Sequence, residues 1–161
     1  MPAAESGVPM QQLVVVAGGL GSRLASTGLQ TPKILLEVSG TTLLERYIEL
    51  AIENSYDQLL LILGHQSEEV ERFLLNKNFP ISMAITVENL RLGTTGALIQ
   101  SRNLLQNEFT LVLGDLLVES TNLKGTFKYF KNSQFDVLNY VKYTDHPEDS
   151  DLVTISEEGS I

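Results

Sequence analysis

The stretch Val14-Val-Val-Ala-Gly-Gly-Leu-Gly-Ser-Arg-Leu24, followed by Thr31-Pro32-Lys33, decides how this chain is read. An apolar, β-branched run breaks into three closely spaced glycines and an arginine, and a lysine then stands behind a proline. The pattern predicts a strand that delivers a phosphate-binding loop. Gly18, Gly19 and Gly21 carry no Cβ, so the backbone there can take positive φ and bring N–H groups close to an anion. Arg23 and Lys33 supply the charge. Two better-known glycine motifs fit less well. A P-loop needs Gly-Lys-Ser/Thr, and no lysine follows these glycines directly. A dinucleotide fingerprint would start at Gly19 and Gly21 but meets Leu24 where the third glycine belongs. The plain alternative is a strand-to-loop turn that uses glycine for geometry alone.

Outward from this loop the hydrophobic pattern alternates. Leu13–Val16 reads as a buried strand, and Leu43–Asn54 places apolar residues at Leu43, Leu44, Tyr47, Ile48 and Ala51, a helical period. Leu59–Leu63 reads as a strand and Ser67–Leu75 as a helix, with Ser67 a candidate N-cap ahead of Glu68 and Glu69. A strand over Ile81–Val87, a helix over Thr95–Leu105 and a strand over Phe109–Leu113 follow; Leu123–Phe130 is a weaker helix, and Val137–Tyr143 and Leu152–Ile155 read as strands. Such alternation predicts right-handed crossovers and a doubly wound, mostly parallel α/β sheet, with ligands beyond the carboxyl ends of the strands. The glycine loop, Glu88 and Gly114-Asp115 all fall at those ends.

Composition narrows the function classes. The 161 residues are 43% hydrophobic and 19% charged, which suits one globular domain, residues 12–161, preceded by a loose arm over residues 1–11. No apolar run approaches a membrane span and residues 1–10 lack a secretory pattern, so a cytoplasmic protein without a membrane partner is expected. There is no cysteine, hence no disulfide and no thiolate chemistry. A net charge of −9 with no basic run argues against a nucleic-acid partner. An acidic protein that handles a triphosphate must attract it locally, through a glycine loop, a few cations and a divalent metal.

Ala17-Gly-Gly-Leu-Gly-Ser-Arg-Leu24 with Thr31-Pro-Lys33 resembles the signature loop of the sugar-1-phosphate nucleotidylyltransferases. Ser22 stands where threonine is commoner, and Ile34 where a second proline often follows the lysine. The resemblance implies a Rossmann-like fold of the nucleotide-diphospho-sugar transferase type, and transfer of a nucleotidyl group from a nucleoside triphosphate to a sugar 1-phosphate with release of pyrophosphate. It implies that Ala17, Gly18, Gly19, Gly21 and Ser22 line the triphosphate and that Arg23 and Lys33 stabilise transferring charge.

Asp115, directly after Phe109-Thr-Leu-Val-Leu-Gly114, can ligate Mg²⁺ that bridges phosphate oxygens, or simply start a turn; the resemblance implies the metal role. The segment Glu88-Asn-Leu-Arg-Leu-Gly-Thr-Thr-Gly-Ala97 resembles the family's base-reading segment, which implies that Glu88, Gly93 and Thr94 hold the nucleoside. A carboxylate only accepts hydrogen bonds, and guanine offers two adjacent donors, so GTP is the expected triphosphate. Otherwise Glu88 is a solvated loop acid, and Thr94 or Thr95 caps the next helix without any ligand.

Other residues carry less. His65 and His146 are lone surface histidines, Glu68, Glu69 and Glu71 form a solvated helical face, and Asp145–Asp151 reads as a turn as readily as a cation site. Ser22 has no base arranged to activate it. The resemblance covers the front part of the family's domain, and Asp145-His-Pro-Glu-Asp-Ser-Asp-Leu-Val153 resembles a turn in two-domain proteins that join a heptose or mannose phosphate transferase to a phosphatase. An inactive nucleotide-binding or regulatory module and a dinucleotide-dependent oxidoreductase remain the alternative readings.

Overall fold

The computed structural model describes residues 10–19, 31–64, 66–75, 77–88, 93–141, 143–149 and 152–156. The expected arm falls almost wholly outside these residues, as do Gly21, Ser22, Arg23 and His65. The chain divides into two compact units, residues 1–129 and 130–161.

The first unit is built on four parallel strands: β1 (Gln12–Ala17), β4 (Gln58–Leu63), β5 (Ser82–Val87) and β6 (Phe109–Leu113), in the spatial order β5-β4-β1-β6. Between β1 and β4 lie a short hairpin, β2 (Glu37–Val38) and β3 (Thr41–Thr42), and helix α1 (Leu43–Glu53). Helix α2 (Ser67–Leu75) joins β4 to β5, and α3 (Gly93–Gln100) joins β5 to β6. The order follows from the side chains. Residues 13 and 15 of β1 and 59, 61 and 63 of β4 pack with Leu43, Leu44, Tyr47, Ile48 and Ala51 of α1 and with Val70 and Leu74 of α2. The intervening Val14, Leu60 and Ile62 pack with Ala97 of α3 on the opposite face. A sheet buried on both faces reads as a continuous apolar run, which is why Leu13–Val15 and Leu59–Leu63 show no polar alternation.

Local sequence fixes the entry to α1. Ser39 and Gly40 both take positive φ, 55° and 79°, the geometry a two-residue hairpin turn requires. Thr42 then caps α1: its hydroxyl accepts from the Glu45 N–H at 3.1 Å, while the Glu45 carboxylate accepts from the Thr42 N–H at 3.0 Å. Lys77, from beyond α2, donates to the same carboxylate and lies 3.9 Å above the Phe73 ring. The Lys77 hydrogen bond, with the two from Thr42, pulls the Glu45 carboxyl down to about 2.

At the opposite, amino end of the strands Gln12 is fully buried and satisfied. Its amide donates to Gln58 Oε1 at 2.7 Å and to the Leu104 carbonyl at 2.8 Å, and its oxygen accepts from the Gln106 N–H at 3.1 Å. This bonding ties the turn after α3 to the sheet, and α3 ends at Gln100, not at the expected Leu105.

Four other expectations are corrected. Ser67 is the first residue of α2, and Thr94 and Thr95 lie within α3, so none of the three precedes its helix. The helix expected over Leu123–Phe130 is two short helices, α4 (Ser120–Leu123) and α5 (Thr126–Lys131), broken where Gly125 takes φ 78°. Residues 137–141, 143 and 152–155 form no strand, and no described strand pairs with them. Apolar alternation supplies one face of a strand but not the neighbour its N–H and C=O groups need, and Val137 and Tyr143 are exposed. Within the second unit the described structure is the end of α5 and a single 3₁₀ turn at Pro147–Asp149. No helix among the described residues is long and apolar enough to cross a membrane.

Candidate active site

Chain order and spatial order define one special crevice. From β1 the chain moves outward through β4 to β5, then returns to the other side of β1 as β6. The direction of winding reverses between β1 and β6, and in open parallel sheets ligands bind outside the carboxyl ends of the strands at that reversal. Ala17-Gly18-Gly19 leaves β1 there and Gly114-Asp115 leaves β6 there.

The strand ends approach closely because glycines let them. A Cβ added to Gly64, at the end of β4, would lie 2.4 Å from the Gly18 carbonyl oxygen and 2.7 Å from its Cα. One added to Gly18 would lie 2.7 Å from Glu88 Oε2. The carboxylate of Glu88 is therefore packed over the backbone of Gly18, and the Glu88 N–H donates to the Leu63 carbonyl at 2.7 Å. Gly114 fits against β1 in the same way: a Cβ there would meet the Ala17 Cβ at 2.7 Å, and its N–H donates to the Val16 carbonyl at 2.8 Å. Four strand ends thus share a floor of backbone.

The glycines serve this floor differently from the expectation. Neither Gly18 nor Gly19 takes positive φ; Gly18 is needed for the room it gives Glu88, and among the described residues a Cβ on Gly19 would meet nothing within 4 Å. Positive φ is required at Gly93 (71°), the first residue of α3. Gly64 was not among the candidate residues, although a glycine directly ending the apolar run Leu59–Leu63 was visible.

Lys33 and Asp115 meet across the crevice. Lys33 opens a 3₁₀ turn, Lys33–Leu35, anchored by the buried Ile34, and its Nζ lies 3.4 Å from Asp115 Oδ2. Both side chains are partly exposed, 33% and 53%, so a pair at this distance contributes at most about 1 kcal/mol. Its significance is placement: a cation and a carboxylate, 82 residues apart, stand together at the reversal point. Glu88 brings a second carboxylate to the crevice, packed over the uncharged backbone of Gly18, while Thr94 lies one residue into α3.

Beneath the Gly114-Asp115 turn lies Tyr47 of α1, 2% exposed. Its hydroxyl donates to the Leu113 carbonyl at 2.8 Å and also contacts the Leu116 carbonyl. Burial, and to a smaller degree the Asp115 charge, push the phenol up to about 12 against the opposing effect of the Leu116 bond, so it keeps its proton.

The donor set bears on metal binding. No group of three or more ligating side chains exists among the described residues. One exposed carboxylate at a strand-end crevice fits Mg²⁺, which proteins commonly hold by one or two carboxylates with phosphates and water completing the shell. In the second unit His146 is exposed and lies 3.7 Å from both Asp145 and Glu148.

Parallel winding, a glycine turn at the reversal point and a lysine–aspartate pair facing it are the features of a nucleotide-handling α/β protein. Residues 12–161 match the nucleotidyl transferase family, and the chain belongs to it. The bifunctional protein GlmU of Methanococcus maripaludis is 24% identical over 153 residues, 92% of this chain and 33% of that protein. The D-glycero-alpha-D-manno-heptose 1-phosphate guanylyltransferase of Aneurinibacillus thermoaerophilus is 27% identical over 107 residues, 66% of this chain and 46% of that protein. Among solved structures, HddC from Yersinia pseudotuberculosis, complexed with GMP-PN, aligns at 26% identity with a TM-score of 0.63, covering 79% of this chain and 55% of that one. The inositol-1-phosphate CTP transferase from T. maritima aligns with a TM-score of 0.62 at 22% identity, covering 74% and 49%. The chain spans about a third to a half of the length of these relatives. Membership displaces the oxidoreductase reading of the glycine loop.

Proposed function

We propose that this chain provides the nucleotide-binding half of a sugar-1-phosphate guanylyltransferase. The observation that carries the reading is the carboxylate of Glu88 packed over Gly18 on the same strand-end floor that holds the Lys33–Asp115 pair. The reading gives base recognition to this acceptor and phosphate binding to the crevice beside it.

In the reaction an oxygen of the sugar 1-phosphate forms a bond to the α-phosphorus of GTP while the bond from that phosphorus to the bridging oxygen breaks. Pyrophosphate carries away the electron pair, and no covalent intermediate with the protein is needed. The protein's work is to position the reactants and offset charge. Gly18, Gly19 and Gly21, with Ala17 and Ser22, cradle the triphosphate; Arg23 and Lys33 stabilise charge on the phosphoryl oxygens; Gly93 and Thr94 support the nucleoside at the start of α3. Asp115 would hold Mg²⁺, whose contribution when bound is to neutralise phosphate charge.

Relatives of this chain include proteins named for cytidine as well as guanosine nucleotides, so membership does not choose the base. Glu88 does. Its two acceptor oxygens match the two adjacent donors of guanine, and a charge-assisted hydrogen bond contributes about 1.5–3 kcal/mol, enough for a tenfold preference. Calorimetric titration of GTP, CTP, UTP and dTTP into the wild type should show that preference, and Glu88→Gln should diminish it, because an amide turns a donor toward guanine. Equal affinities, or a preference untouched by the substitution, would remove Glu88 from base recognition.

A further inference from the structure

We propose that Tyr47 is a positioning residue for Asp115, its buried hydroxyl tying together the two carbonyls that bracket the Gly114-Asp115 turn. This inference rests on the reading of Asp115 as the ligand of a divalent cation, and it extends that reading to a residue on a different element.

The geometry is specific. The Leu116 N–H donates to the Leu113 carbonyl at 3.2 Å, closing a turn with Gly114 and Asp115 at its centre. The Tyr47 hydroxyl reaches the carbonyls at both ends of that turn. A phenol has one proton, so it is shared between the two acceptors, and the turn cannot open or rotate without surrendering it. On the far side Gly114 is pressed against Ala17, so the turn is held from α1 below and from β1 at its flank. An exposed aspartate on an otherwise free turn would sample many directions. Here its backbone is fixed by a bond from the core, and the Tyr47 ring is itself immobilised in the apolar stripe of α1.

Helix α1 also packs against the 3₁₀ turn that carries Lys33, through Ile34 in the shared core. One helix thus supports the cation from one side and the carboxylate from the other. A phenylalanine would fill the core position as well as the Tyr47 ring does. The hydroxyl is explained by the turn.

The test uses Mn²⁺ as probe, with free ion followed by electron paramagnetic resonance in the presence of GTP, on wild type, Tyr47→Phe, Asp115→Asn and the double variant. Tyr47→Phe removes one oxygen and leaves the ring in the core, and thermal melting recorded alongside measures any general loss of stability. The expected result is a Mn²⁺ affinity lowered about fivefold by Tyr47→Phe, the loss of one hydrogen bond. Asp115→Asn should lower it further, and adding Tyr47→Phe to Asp115→Asn should change nothing more. A normal affinity in Tyr47→Phe beside a weakened Asp115→Asn overturns the role of Tyr47 and leaves the metal reading standing. Additive effects in the double variant also overturn it, because Tyr47 would then act on the fold and not through Asp115. A normal affinity in Asp115→Asn overturns both.

Discussion

Gly64→Ala tests whether the floor of the crevice is a packed contact. The added methyl carbon would stand 2.4 Å from the Gly18 oxygen, 2.7 Å from its Cα and 2.9 Å from its carbonyl carbon. All three are backbone atoms of a strand end, so no flexible side chain can swing aside. Relief requires β4 and β1 to separate locally, against the register Ala17↔Leu63 one residue before, or the glycine loop to lift away from Glu88. Overpacking of this kind costs about 1–3 kcal/mol. Urea unfolding measures the part that appears as lost stability, and GTP titration the part relieved by displacing the loop, expected as a tenfold or greater loss of affinity if about 1.4 kcal/mol goes that way. Gly19→Ala is the comparison, since among the described residues its methyl would meet nothing within 4 Å. Its stability should lie within about 1 kcal/mol of wild type. If Gly64→Ala unfolds at the wild-type midpoint and binds GTP normally, the close approach of Gly64 to Gly18 does not exist in solution.

Two further outcomes follow from the same geometry. Lys33→Ala and Asp115→Ala should each leave the unfolding free energy within about 1 kcal/mol of wild type, as befits a half-exposed pair, yet each should depress Mg²⁺-dependent nucleotidyl transfer about a hundredfold; pyrophosphate release at saturating Mg²⁺ measures this, and normal rates in both variants would contradict the site. Folding holds the Glu45 carboxyl near 2 against its ordinary 4.5, so its contribution is complete above pH 4.5 and drains away as pH falls toward 2. Because Glu45 and Lys77 are 24% and 36% exposed, solvent screening limits that contribution to about 1 kcal/mol. Urea unfolding at pH 5 and pH 3 should show wild type losing about half of that more than Glu45→Gln, and equal losses would dismiss the pairing.

Periodicity reports which face of an element is buried, and it was sufficient for the sheet. The runs Leu13–Val16, Leu59–Leu63 and Phe109–Leu113 became β1, β4 and β6 within a residue at either end. In β1 and β4, cover on both faces leaves no room for a polar break, whereas β6, last in the strand order, leaves Leu111 and Leu113 exposed. Placing Glu88 and Asp115 at one edge followed from parallel winding alone. Chemistry that depends on single atoms was less legible. Thr42-x-x-Glu45 is the pattern of a capping box and Ser39-Gly40 that of a tight turn, so both were available locally. The contact of Gly64 with Gly18, the polar bonds of Gln12 and the hydroxyl of Tyr47 join residues 46 to 94 positions apart, and no local pattern encodes such partners. Tyr47 in particular is indistinguishable in sequence from any other member of the apolar stripe of α1. The strands expected after residue 136 failed for the complementary reason, since alternation without a partner strand satisfies side chains and leaves the backbone unpaired.

The charges of the crevice do not hold it together. An exposed lysine–aspartate pair at 3.4 Å is too weak to place two strand ends, whereas the contacts at Gly64 and Gly114 involve buried backbone and the Tyr47 hydroxyl bonds the turn from the core. The crevice is therefore built by packing and only lined by charge. On the proposed function, that division suits a protein of net charge −9 that must bind a polyanion. In that reading Lys33 leaves Asp115 for a phosphate at little cost and Asp115 takes a divalent cation in exchange, while the glycine floor beneath them stays where the sheet has put it.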